Sequence, residues 1–123
     1  MFVDPALSLR PSRAPRRTPR RTDADRLCDA LITLAGGHGA VLSRSEHPWA
    51  SVTFAGARHS VTLEFTGDKA VAGGEWLIAE LPEHEFALPR RLVAEAVVVA
   101  AHHALIPEPR LRVECELLLL EDA

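Results

Sequence analysis

Residues 110–120 alternate. Leu111, Val113, Cys115, Leu117 and Leu119 fall on one side of an extended chain, and Arg112, Glu114 and Glu116 fall on the other. A period of two sustained this long is a β signature, because in a helix the same apolar positions would scatter around the circumference. The chain must therefore build a sheet around one long strand. Toward the end of the run Leu118 and Leu120 make the second face apolar too. The alternation alone leaves the place of the strand in the sheet, central or edge, open.

Other elements follow from local signals. Thr22 or Asp23 can cap a helix over residues 23–35, in which Leu27, Leu31, Ile32 and Leu34 recur at helical spacing until Gly36-Gly37 ends it. Asp23, Asp25 and Asp29 suit its early turns, where the helix dipole favours carboxylates. Residues 40–43 read as a short strand that stops near Pro48. Residues 49–54 and 59–65 read as a hairpin about a turn at 55–58, with Val52, Phe54, Val61, Leu63 and Phe65 turned to the core. A flexible loop over 66–74 leads to a fourth strand over 75–81. Pro89 suits the first position of a second helix over 89–105, apolar nearly all round and ended by Ile106-Pro107. The expected fold class is α+β: a mostly antiparallel five-stranded sheet with two helices on one face, in the order α-β-β-β-β-α-β.

Charge divides the chain in two. Residues 1–22 hold Arg10, Arg13, Arg16, Arg17, Arg20 and Arg21 against Asp4, a net of +5; the remaining 8 basic and 16 acidic residues give −8. With Pro11, Pro15 and Pro19 among the arginines, residues 1–22 are expected to be a disordered arm before a single α+β domain at 23–123. The acidic body would repel phosphates over a Debye length of about 8 Å, so affinity for nucleic acid would have to come from the arm. No apolar run approaches the roughly 20 residues that span a bilayer. The first residues lack the pattern of a signal peptide. Cys28 and Cys115, far apart within apolar segments, read as reduced core residues of a cytoplasmic protein.

Chemistry-bearing clusters stay close to background. His84, Glu85, His102 and His103 are the best grouping for a metal, but adjacent histidines on a helix diverge by about 100°. At the last turn of the expected second helix they would instead complement its negative end. Neither Cys28 nor Ser60 with His59 sits in a recognisable nucleophile turn. Gly36-Gly37-His38-Gly39 follows a helix, the reverse of a phosphate-cradling loop, and reads as a helix stop. No cofactor is implied.

The leading expectation is a non-catalytic interaction module that associates with copies of itself. Trp49 and Trp76 are its candidate anchors and the arm arginines its candidate contacts to an acidic partner. One alternative is a nucleic-acid or ribonucleoprotein accessory factor tethered by the arm. The other is a small enzyme using carboxylates and a histidine near Glu80, Glu83 and Glu85.

Overall fold

The computed structural model describes residues 20–122. The order is α1 (Asp23–Leu34), β1 (Ala40–Ala50), β2 (Ala55–Thr66), α2 (Asp68–Glu80), a 3-10 turn (Leu81–Glu83), β3 (Arg91–Ala104) and β4 (Arg110–Glu121). The four strands form one sheet in the order β1-β2-β4-β3, and every pairing is antiparallel. The expected five-stranded order α-β-β-β-β-α-β is therefore corrected to two strands, a helix and two strands after α1.

The alternating run is β4, and it is central. Its Leu111, Val113, Cys115, Leu117 and Leu119 join Val61, Leu63 and Phe65 of β2 in one core, over which α1 lays Leu27, Cys28 and Leu31 and α2 lays Val71 and Leu77. Both helices thus cover the same face, and each fully buried Leu or Phe contributes roughly 1.5–3 kcal/mol relative to exposure. The start of α1 is secured by a capping box. The Thr22 hydroxyl accepts from the Asp25 amide, and the Asp25 carboxylate accepts from the Thr22 amide. Gly36 and Gly37, both at positive φ, close its far end, with the Gly37 amide donating to Ile32 O at 2.9 Å.

Three expected elements change type or extent. Residues 66–81, read as a loop and a strand, contain α2 instead, and Gly73-Gly74 misleads because the pair serves close packing. A Cβ at Gly74 would lie 2.6 Å from Phe65 Cδ2 and 2.8 Å from Leu111 Cδ2, and one at Gly73 would run into the Ala35 carbonyl. The helix approaches the sheet and the end of α1 only because both side chains are missing. The propensity cost of about 1 kcal/mol per glycine is offset by that approach.

Residues 91–104, read as a helix, are β3. The register slips between Val93 and Glu95 and again between Val98 and Ala100, so two bulges break the alternation and spread the apolar residues over every helical face. Val93, Val97, Val98 and Val99 are β-branched, and pairing with β4 decides the outcome. His102 and His103 accordingly lie on a strand, not at a helix end. His102 Nε2 stands 3.6 Å from Glu114 Oε2, while His103 is opposite Leu111.

The third change is at β1. The strand expected at 40–43 and the first two residues of the one expected at 49–54 belong to a single strand carrying Pro48, tolerated at a sheet edge. The turn moves from 55–58 to 51–54. There the Ser51 hydroxyl accepts from the Phe54 amide at 3.0 Å and the Thr53 amide at 3.3 Å, which puts Val52 and Phe54 in the loop rather than in the core.

Candidate assembly surface

Among the described residues neither helix packs on the other face of the sheet, the bare face, and its rows follow from the register. Trp49, Gly56, Leu120 and Leu92 form one row, and His47, Arg58, Leu118 and Glu95 form the next. In the second row Arg58 and Glu95 pair at 3.1 Å across the Leu118 position. Further along the rows turn polar through Ser60 and Glu116, then Thr62 and Glu114, then Glu64 and Arg112. In β2 and β4 this face is thus apolar only at the end where the β1–β2 hairpin closes, while β3 adds Val97 opposite Glu116. Leu118 and Leu120 are buried there, while Leu92 remains 55% exposed.

That hairpin adds Val52, fully exposed, and Phe54, half exposed. The β3–β4 connection lies at the opposite end of the sheet, since β4 begins beside Thr66 and ends beside Gly56. It presents Leu105 and Ile106, 71% and 85% exposed. Two apolar tips therefore stand at opposite ends of the long axis. Between them run two edges, β1 and β3, that pair with no further strand among the described residues, with β1 exposed along its length except at Trp49. Free backbone donors and acceptors at such edges are templates for another chain.

The anchors and arginines expected from sequence are dispersed. Trp49 stands on the bare face at the hairpin end; Trp76, 57% exposed, lies on α2 in the helical layer. Trp76 lines an open groove of about 710 Å³ with Arg21, Arg26 and Asp29 of the α1 side and Glu85 of the following segment. Arg21 pairs with Asp29, and Arg20 lines a neighbouring hollow with Arg90 and Arg91. Arg10, Arg13, Arg16 and Arg17, and with them most of the expected arm, lie outside the described residues. Of the carboxylates considered for catalysis, Glu83 and Glu85 are exposed and Glu80 is at the end of α2. The hairpin tips were the part sequence reasoning missed: Val52 and Phe54 had been placed in a strand, and Leu105 and Ile106 at a helix end.

Two groups show what the fold does to its own chemistry. The Thr22 amide and then Arg44 of β1, at 2.8 Å, hold the Asp25 carboxyl at about 2. Burial pushes the Cys115 thiol up to about 12, so it is protonated and unreactive at neutral pH. Both cysteines are free and buried. Among the described residues no group of three or more His, Cys, Asp or Glu side chains is placed to hold a metal ion, and no helix is long and apolar enough to cross a membrane.

Comparison with known proteins adds a fold relationship. No protein-family model and no curated protein matches the chain. Among solved structures, a chain from the virion of a native gene transfer agent (GTA) particle is similar at a TM-score of 0.55 and 14% identity, over 80% of this chain and 91% of that one. The similarity at that identity is one of fold.

Proposed function

We propose that this chain is a non-catalytic structural subunit that assembles with copies of itself, one hairpin tip against the opposite tip of the next copy. The observation that carries this reading is the pair of exposed apolar tips, Val52 with Phe54 and Leu105 with Ile106, at the two ends of one sheet. Different patches that meet give a heterologous contact, which closes into a ring or extends as a stack according to its rotation. A fold shared with a component of a virion particle supports the same reading. The buried, reduced cysteines support a cytoplasmic site of assembly.

Light scattering of the full chain over a range of concentrations tests it. Assembly is expected for the natural sequence and loss of assembly for a Val52→Asp, Phe54→Ser variant and for a Leu105→Asp, Ile106→Ser variant. Mixing the two variants leaves one intact junction per pair, so heterodimers are expected and nothing larger. A natural chain that stays monomeric at every concentration, or variants that do not complement, overturns the proposal.

A further inference from the structure

At the start of α1, Asp23 and residues of all four strands line a cavity of about 210 Å³. Its floor is low because Ala57 has almost no side chain, and around it stand Asp23 of α1, Glu46 of β1, His59 of β2, and Arg91 and Glu121 from the β3 and β4 ends. His59 is only 3% exposed, lines this cavity, and makes no side-chain hydrogen bond to any other described residue. Buried polar groups are nearly always satisfied, so an imidazole left this way marks a position where a partner belongs.

The charges define that partner. Burial pushes His59 below its ordinary value, against the opposing pull of Glu46, its cross-strand neighbour, and of Asp23. The ring is therefore neutral at pH 7 and offers one nitrogen as an acceptor. Arg91 Nε donates to Asp23 at 2.8 Å, which satisfies both, whereas Glu46 and Glu121 form no ion pair among the described residues. Two carboxylates without an ion pair among the described residues and one imidazole acceptor line a space with ample room for a small planar group. The ring and carboxylates are too dispersed to close on a metal ion. A guanidinium, with five donors in a fixed plane, matches separated acceptors that an ion of spherical charge would not.

We propose that this cavity seats the guanidinium group of an arginine presented from outside the described fold, held by Glu46 and Glu121 with His59 at its closed end. The arginine comes either from the segment of this chain that holds Arg10, Arg13, Arg16 and Arg17 or from another polypeptide, and the two sources are separable. The experiment follows the His59 ring signals by NMR in the full chain while N-acetyl-arginine methylamide is added. A parallel sample carries Arg10→Gln, Arg13→Gln, Arg16→Gln and Arg17→Gln.

A saturable shift in the natural chain, at least tenfold weaker with the lysine analogue and lost in Glu46→Gln, is the result expected for an arginine from another polypeptide. If the chain supplies its own arginine, the natural chain ignores the probe, while the four-arginine variant shows displaced His59 signals and regains the saturable response. No response in either protein, or equal responses to arginine and lysine, overturns the proposal. Glu46 is exposed on an edge strand, so its substitution leaves the core intact.

Discussion

The two faces of the sheet have the same backbone and opposite occupations. On the covered face β2 and β4 point Val61, Leu63, Phe65, Leu111, Val113 and Leu117 into a core closed by both helices. On the bare face the same strands present Ser60, Thr62, Glu64, Glu114 and Glu116, and turn apolar only beside Trp49, Leu92, Leu118 and Leu120. The difference teaches that one element can hold its apolar residues on one side and its polar residues on the other, so that stability rests on one side alone. The covered side holds the core on which folding depends, and the other side with its tips is the one to which the proposed assembly is assigned.

The sharpest break of that comparison is Phe65→Ala. Phe65 is fully buried, and its ring lies against the positions where Gly39 and Gly74 have no side chain, so the cavity left behind cannot collapse easily. A loss of about 3–5 kcal/mol is expected in urea unfolding. A loss below about 1 kcal/mol would mean that the helical layer does not depend on this face.

A smaller effect concerns the tie between the layers, where Asp25 of α1 meets Arg44 of the edge strand β1. The Asp25 carboxyl lies at about 2 in the folded chain against an ordinary 3.8. Its contribution is therefore fully present above about pH 5 and is lost as the pH falls through 3.8 toward 2. Urea midpoints of the natural chain and of Asp25→Asn are expected to differ near neutral pH and to converge at pH 2 to 3. Parallel curves would remove the tie.

The smallest effect is expected on the bare face. Leu92→Ser removes an exposed side chain and should change unfolding stability by no more than about 0.5 kcal/mol. A change several times larger would show that the bare face belongs to the fold of the monomer.

Where pattern and packing agreed, the sequence was a sufficient guide. The first helix, its Thr22 cap and its glycine stop, the inward side of β2 and the alternation of β4 all appear where residue spacing puts them. Each of the failures has a local cause. Gly73 and Gly74 look like a loop because their role is set by Phe65, Leu111 and Ala35, residues distant in sequence. The β3 run looks helical because two bulges shift the alternation out of phase. The tips and the His59 cavity were illegible for a different reason: they arise from where elements end relative to one another, which no single stretch of residues records.

The bulges in the outer strands bear on what can pair with the sheet from the side. β1 slips between Val41 and Ser43 and carries Pro48, and β3 slips twice, so both borders are interrupted for an incoming strand. A molecule with two smooth borders could add copies sideways without end and leave solution as a fibre. Interrupted borders make the sideways docking of a further strand harder, a restraint that acts on the outer strands and leaves the two tips untouched.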